Sequence, residues 1–174
     1  MKNLDTGETL DLLSSKILSV INKDLSLTEE DEIERELWYA ARSNDSDLVR
    51  EILENIPAQF TYKNHEMGAL HIAASEGNVA VCEAMLDYGQ LDINEVARFG
   101  RTALHSACEK GHLATIQLLV RSGADINIQD DMGETPMHIL AESGKTKIVK
   151  WFLNRNPCMT VENKNGHIPL EVCK

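Results

Sequence analysis

The stretch RFGRTALHSACEKGHLATIQLLVRSGADIN, residues 98–127, determines how the rest of the chain is interpreted. It contains a tight turn, a short helical segment, a second turn, a longer helical segment and a closing turn, with glycine at positions 100, 111 and 123. An apolar residue followed by His occurs at 70–71, 104–105 and 137–138, at steps of 34 and 33 residues, and Leu170 continues the step. A period near 33 residues predicts a solenoid of stacked helical hairpins.

Three motifs in this region resemble the ankyrin repeat. Gly-Arg-Thr-Ala-Leu-His at 100–105 and Gly-Glu-Thr-Pro-Met-His at 133–138 are similar to the opening of that repeat, and Gly-Ala-Asp-Ile-Asn at 123–127 is similar to its end. The resemblance extends from about residue 30 to 174. It implies an all-α fold, an ankyrin-repeat solenoid of stacked helix-turn-helix units with β-turn fingers. It also implies a protein-binding module and leaves the partner unnamed.

The chain divides into two parts by composition and period. Residues 1–28 form an acidic segment in which Leu10, Leu13 and Ile17 predict one face of an amphipathic helix. This helix is expected either to cap the solenoid or to dock on a partner. Residues 29–174 form the repeat domain, with repeats at about 30–62, 63–96, 97–129 and 130–162 and a partial repeat at 163–174. Either the chain is a fragment of a longer protein, or another surface covers the partial repeat.

Helices are expected near 29–42, 46–55, 69–76, 79–88, 103–110, 113–122, 136–143 and 146–155. Thr28, Thr102 and Thr135 stand where a side chain caps a helix, and Pro169 stands at the first position of a further helix. Asn156 tolerates the left-handed conformation that ends a helix. In the second repeat, glycine at 68 replaces the usual threonine and glutamate at 66 replaces the usual turn glycine, so we expect that finger to deviate.

Charge and cysteine usage restrict the functions open to this chain. The net charge is −11, and residues 1–34 contribute −6 of it, which argues against nucleic acid and against anionic membrane surfaces. No apolar run reaches the ~20 residues of a membrane helix, and no signal peptide is recognisable. Cys82 and Cys108 fall in apolar helical segments, as buried free thiols of a reducing compartment do. We expect a cytoplasmic or nuclear protein.

The resemblance places the partner-binding residues on the turn tips and on the exposed side of each first helix, a concave face. The candidates are His65, Met67, Glu76, Arg98, Phe99, Arg101, Glu109, Lys110, Asp131, Met132, Glu134 and Glu142, with Ser75, Ser143, Asn165 and His167 beside them. Phe99 and the methionines either bind the partner or pack along neighbouring fingers, and both readings stay open. We place Phe99 and Arg101 near the centre of the surface.

Catalytic and cofactor chemistry is not expected. The histidines at 71, 105 and 138 occur once per repeat, too far apart for a shared metal, and should be hydrogen-bonded within the framework. Ser143-Gly-Lys-Thr146 lacks the first glycine of a phosphate-binding loop, because position 139 is isoleucine. Asn94 and Asn127 lie in sequences that resemble sites of asparagine hydroxylation in ankyrin repeats. The leading hypothesis is a non-catalytic protein-interaction module; the alternative is the regulatory or targeting region of a larger enzyme, channel or effector.

Overall fold

A computed structural model describes residues 27–56, 68–89 and 91–172, with side chains from residue 33 onward. This part of the chain contains eight α-helices: α1 Leu27–Ser43, α2 Ser46–Asn55, α3 Ala69–Glu76, α4 Val79–Tyr88, α5 Ala103–Lys110, α6 Leu113–Arg121, α7 Pro136–Glu142 and α8 Thr146–Leu153. Their bounds agree with the expected helices to within two residues, and the all-α class is confirmed. The amphipathic segment before residue 27, and the finger with His65, Glu66 and Met67, lie outside the described residues.

The helices form two layered rows. The first helices of successive repeats contact one another in the order α1, α3, α5, α7, and among the second helices α2 contacts α4 and α4 contacts α6. Each second helix also packs on its own first helix. The buried apolar side chains form one continuous cluster along the rows, and its largest members include Leu37, Met85, Leu104, Leu119 and Phe152. Stacking therefore buries the surfaces that a single hairpin would expose.

The expected signals set most of the helix ends. The hydroxyls of Thr102 and Thr135 cap α5 and α7, and Pro136 occupies the first turn of α7, as predicted. Gly89 ends α4 in the left-handed conformation, and Asn156 adopts φ 51° after α8. The expectation that Thr28 caps α1 was wrong, because α1 begins at Leu27 and Thr28 therefore lies inside the helix.

The helix expected to begin at Pro169 is not formed by residues 169–172. Residues 169–172 form turns, in which the Glu171 amide donates to the Ile168 carbonyl at 2.9 Å and the Ile168 amide donates to Glu171 Oε2 at 3.0 Å. A single turn of this kind lacks the successive bonds that stabilise a helix after its first turn. Leu170 is exposed, whereas Leu140 and Phe152 in the fourth repeat are fully buried.

Cys82 and Cys108 are buried free thiols, as predicted, and burial raises the pKa of Cys82 to about 12. Among the described residues no helix is both long and apolar enough to cross a membrane.

Candidate protein-binding surface

Three fingers, residues 97–101, 130–134 and 163–167, project between the repeats; we call them the Phe99, Met132 and Asn165 fingers. Each is closed at its base by a backbone bond from its first amide to its last carbonyl, with N–O distances of 2.8 to 2.9 Å. Adjacent fingers are also linked, because the Asp131 amide donates to the Phe99 carbonyl and the Lys164 amide donates to the Met132 carbonyl. The fingers are thus held at a fixed spacing.

The repeated histidines anchor these fingers. His71 Nε2 lies 3.0 Å from the Arg101 carbonyl at the base of the Phe99 finger and 3.1 Å from the Glu95 carbonyl. His105 Nε2 lies 3.1 Å from the Glu134 carbonyl, and His138 Nε2 lies 3.1 Å from the His167 carbonyl. Because a carbonyl oxygen only accepts, Nε2 carries the proton in each ring. The prediction that the histidines are bound within the repeat framework is confirmed.

In the third and fourth repeats the other ring nitrogen is also bound. Thr102 donates to His105 Nδ1 from its backbone amide at 3.2 Å and from its hydroxyl at 2.9 Å. The same hydroxyl oxygen accepts from the His105 amide at 3.4 Å. Thr135 and His138 repeat this arrangement with distances of 3.1, 2.9 and 3.4 Å. We call the two arrangements the Thr102 corner and the Thr135 corner.

The second repeat differs at the equivalent place, the Gly68 corner. Gly68 stands at the N-cap of α3 and offers no side chain to the helix, and His71 Nδ1 has no hydrogen-bond partner although the residue is only 2% exposed. Burial lowers the pKa of His71 and also that of His105, so both rings are neutral near pH 7. His71 thus anchors the Phe99 finger with one nitrogen bound and the other unpaired.

Phe99 and Met132 occupy equivalent tips of adjacent fingers and are both largely exposed, at 57% and 52%. The Arg98 guanidinium lies over the Phe99 ring, 4.7 Å from its centroid. Two large apolar side chains at exposed, hydrogen-bonded neighbouring tips form a small apolar platform with a positive edge. Neither side chain is buried against the other fingers.

The Phe99 finger is strained in a way the sequence did not reveal. Phe99 adopts φ 65° and ψ 22°, a left-handed conformation that is unfavourable for a bulky residue. In the Met132 finger, Asp130 Oδ1 accepts from the Met132 and Glu134 amides at 2.8 and 2.9 Å, and Asn163 does the same for its own finger. Ala97 holds the equivalent position in the Phe99 finger and has no such side chain. The sequence does carry a signal for this difference, because Asp or Asn stands three positions before the turn glycine in the Met132 and Asn165 fingers and alanine stands there in the Phe99 finger.

Arg101 is an internal organiser of the surface. Its Nε donates to Asp130 Oδ2 at 3.2 Å, and its NH1 donates to Glu109 Oε2 at 2.6 Å. Asp130 was not among the candidates. Its side chain is 1% exposed and connects Arg101 to the Met132 finger, since it binds the Arg101 guanidinium and the Met132 amide. The two ion pairs occupy the guanidinium within the chain, so Arg101 fixes the geometry between the Phe99 finger and α5.

Four of the remaining described candidates are charged residues at the surface. Glu76, Lys110, Asp131 and Glu142 are exposed, and the Lys110 ammonium is 3.5 Å from Glu109 Oε1. Partial burial, together with the carboxylates of Asp130 and Glu142, raises the pKa of Glu134. The surface that the structure describes therefore combines an apolar tip pair with mixed charges.

Asn94 and Asn127, in the loops that follow α4 and α6, link successive repeats. Asn94 Oδ1 accepts from the Asp125 amide at 2.8 Å, and Asn127 Oδ1 accepts from the Cys158 amide at 2.7 Å. The side-chain amide of each asparagine thus bonds to the loop that follows in the next repeat. Within the described residues, no group of three or more His, Cys, Asp or Glu side chains is arranged to hold a metal ion.

Comparisons with known proteins agree with this architecture. The family model for ankyrin repeats (3 copies) matches residues 37–130 and 115–173. Ankyrin repeat domain-containing protein 29 of Danio rerio is 38% identical over 61 residues, which are 35% of this chain and 20% of that protein. The probable E3 ubiquitin-protein ligase XBOS32 of rice is 32% identical over 96 residues, 54% of this chain and 19% of the ligase.

A third relative, the serine/threonine-protein kinase TNNI3K of Mus musculus, is 41% identical over 51 residues, 29% of this chain and 6% of the kinase. The chain spans between 6% and 20% of the length of these three relatives. The family model matches most of the chain, and the histidine-anchored fingers and paired helices recur at the same period. The chain therefore belongs to the ankyrin-repeat family.

Proposed function

We propose that this chain is a non-catalytic module that binds another protein through its fingertips and first helices, with Phe99 and Met132 at the centre of the contact. Ankyrin repeats generally serve as protein-interaction modules, and the family is typically non-catalytic. The observation that supports the proposal most strongly is the exposure of Phe99 and Met132 on adjacent, linked fingers. Large apolar side chains that remain exposed on a rigid surface are typical of contact sites.

The strain at Phe99 supports the same assignment. A phenylalanine in the left-handed conformation is unfavourable by roughly 1 to 2 kcal/mol, and glycine or asparagine would relieve it. The exposed ring recovers little of this through burial. Strained residues of this kind tend to occur at functional sites. Arg101, also expected near the centre of the surface, is held by Asp130 and Glu109, and its contact with a partner stays a prediction.

The test is affinity capture with quantified recovery from cell extract, using the intact chain and two matched variants. Phe99→Asn with Met132→Gln removes both apolar tips, and Asn suits the backbone at position 99. Leu153→Gln, at an exposed apolar position on α8, is the control. We expect the partner's affinity to fall about 30-fold, roughly 2 kcal/mol, in the tip variant and to stay unchanged in the control. Equal capture by the folded tip variant would contradict the proposal.

The expected compartment follows from the same features. We place the chain in the cytoplasm or nucleus, supported by the buried free thiols of Cys82 and Cys108. Hydroxylation at Asn94 or Asn127 stays a prediction, and mass spectrometry of the native protein without a 16-dalton increase at either residue would exclude it. Because each amide oxygen accepts a backbone bond, either modification would act on a contact between repeats.

A second candidate function is a regulatory or targeting region of a larger enzyme, channel or effector. It is supported by the small fraction of each relative that this chain matches. Transcript sequencing across both ends of the coding region tests it. An extended reading frame that encodes a further domain would support this candidate, and a reading frame that ends at both limits of this chain would refute it.

A further inference from the structure

We infer that the protein bound at the Phe99 and Met132 tips presents a basic segment, in which a lysine or arginine lies beside a large apolar side chain. The apolar side chain packs on the two tips, and the cation pairs with carboxylates of the Met132 finger. This inference rests on the proposed function, because it names the chemistry of the partner at the same surface. Both parts of the segment have a matching feature among the described residues.

The Asp131 carboxylate lies between the two tips. Asp131 directly precedes Met132, and its amide donates to the Phe99 carbonyl at 2.8 Å. Its side chain lies against Gly100, which follows Phe99, because a Cβ atom added at Gly100 would be 2.7 Å from Asp131 Oδ1. Asp131 is exposed, and within residues 27–56, 68–89 and 91–172 no Lys or Arg forms an ion pair with it. A ligand that covers both tips therefore meets this carboxylate.

The Met132 finger and α7 concentrate negative charge. Residues 130–144 contain no lysine or arginine and four acidic residues, Asp130, Asp131, Glu134 and Glu142. Partial burial, together with the carboxylates of Asp130 and Glu142, raises the pKa of Glu134, so ionised Glu134 is repelled by its neighbours. A cation supplied by the partner offsets this repulsion, whereas a further carboxylate or a phosphate increases it.

The cations of the neighbouring Phe99 finger already have contacts within the chain. Asp130 and Glu109 bind the Arg101 guanidinium, and the Arg98 guanidinium lies 4.7 Å from the centroid of the Phe99 ring. An acidic or phosphorylated segment would have to displace these contacts and also approach Asp131. Charge complementarity thus favours a basic segment, and the exposed tips favour a large apolar residue beside the basic one.

The test selects ligands for the whole chain from a random peptide library. Peptides are kept only if they bind the intact chain and fail to bind the tip variant, Phe99→Asn with Met132→Gln. We expect these tip-dependent peptides to be enriched in lysine or arginine next to a leucine, isoleucine, methionine or aromatic residue. Their affinities are then measured by titration of the synthetic peptides.

A charge variant and a matched control identify the carboxylates involved. Asp131→Asn with Glu134→Gln keeps the shape of both side chains, and peptide affinity should fall about fivefold at low salt. This difference should shrink at about 0.5 M salt, where exposed charges are screened. The control is Glu83→Gln with Asp87→Asn, at exposed positions on α4. It removes the same amount of charge and should change the affinity by less than about twofold.

The outcomes separate this inference from the proposed function. Tip-dependent peptides that are acidic or uncharged would overturn the inference alone, as would basic ones that bind the charge variant as tightly as the intact chain. An equal loss of affinity in the control would also overturn it, because the peptides would then respond only to net charge. A selection without any tip-dependent peptide would overturn the proposed function and the inference together. Thermal unfolding verifies that each variant folds, and Asp131→Asn alone replaces the double variant if that one does not.

Discussion

The Gly68 and Thr102 corners are the same structural element with one different residue. Both hold a buried histidine whose Nε2 supports the base of the next finger, at 3.0 Å from Arg101 and 3.1 Å from Glu134. In the Thr102 corner the hydroxyl and amide of threonine also bind Nδ1, whereas in the Gly68 corner that atom is unpaired within the protein. The two corners therefore differ by two hydrogen bonds to Nδ1, one from the hydroxyl and one from the backbone amide of threonine.

This difference shows that neighbouring fingers are supported unequally. The less completely bound histidine supports the Phe99 finger, which also lacks the Asx side chain of the Met132 and Asn165 fingers and has Phe99 in a left-handed conformation. The fully bound His105 supports the Met132 finger, which Asp130 braces from within. Because repeats contact only their neighbours, such local differences change stability locally. The tip with the larger apolar side chain thus has the weaker support.

Removal of each histidine should give the largest effects. His105→Ala leaves a cavity and unpairs groups of Thr102 and Glu134, so we expect a loss of about 3 kcal/mol in the free energy of unfolding. His71→Ala should lose about 2 kcal/mol, because one of its nitrogens has no partner in the protein. Urea denaturation of both variants measures the difference. If His71→Ala lowers the free energy of unfolding as much as His105→Ala or more, the unpaired Nδ1 of His71 does not weaken its corner.

Exchange of the corner residues should give effects of opposite sign. Thr102→Gly removes the cap of α5 and the hydroxyl at His105, with an expected loss of about 1 to 2 kcal/mol in the free energy of unfolding. Gly68→Thr adds both features at a backbone conformation, φ −64° and ψ 162°, that any residue adopts, and should gain about 1 kcal/mol. Thermal unfolding measures both. A destabilised Gly68→Thr variant would show that the second corner cannot accept the side chain.

Acid should weaken the fold through the same histidines. Burial holds the pKa of His71 and of His105 below 6.5 in the folded state, so below that pH the unfolded chain binds protons that the folded chain excludes. Their contribution is fully present above about pH 7.5 and falls as the pH drops below 6.5. Between pH 7.5 and 5.5 the loss should be about 1 kcal/mol per histidine, opposed in part by Glu134, whose pKa is raised. Urea denaturation at the two pH values measures it.

The control for this pH dependence is His105→Asn, which removes one of the two titrating rings. Its stability should fall less between pH 7.5 and 5.5 than that of the unmodified chain. An identical fall in both proteins would assign the pH dependence to other groups.

Relief of the strain at Phe99 should give the smallest effect. Phe99→Asn keeps a residue that tolerates φ 65°, whereas Phe99→Ala keeps the strain and removes the ring. We expect the asparagine variant to be more stable than the alanine variant by about 0.5 to 1 kcal/mol. Urea denaturation of the pair tests this, and equal stabilities would indicate that the left-handed turn relaxes when the ring is removed.

The sequence predicted the framework of this fold well because the repeat constrains it at each step. Helix ends were signalled by Thr102, Pro136 and Asn156, whose effects act within one turn of the chain. The helix expected at Pro169 was wrong, because a proline and one turn do not make a helix. Local signals thus predicted helices correctly in the repeats that pack against a neighbouring repeat.

The binding surface was harder to predict, because it depends on contacts between repeats. The sequence did not show that Asp130 and Glu109, which lie 29 and 8 residues away from Arg101, bind its guanidinium. Phe99 is left-handed in the one described finger that has alanine, at position 97, in place of an Asx residue, and this difference is recognised only when the three fingers are compared. Glycine at 68 is visible in the sequence, but its consequence, a His71 Nδ1 without a hydrogen-bond partner, depends on the orientation of the buried ring.

We propose that a protein partner contacts the tips of the Phe99 and Met132 fingers. The most direct test of this contact is a photo-crosslinking amino acid placed at position 99 in living cells, with the same residue at position 153 on α8 as control. We predict a discrete covalent adduct with one protein from position 99 and none with that protein from position 153. Adducts of equal yield from both positions, or an adduct from position 153 alone, would contradict it.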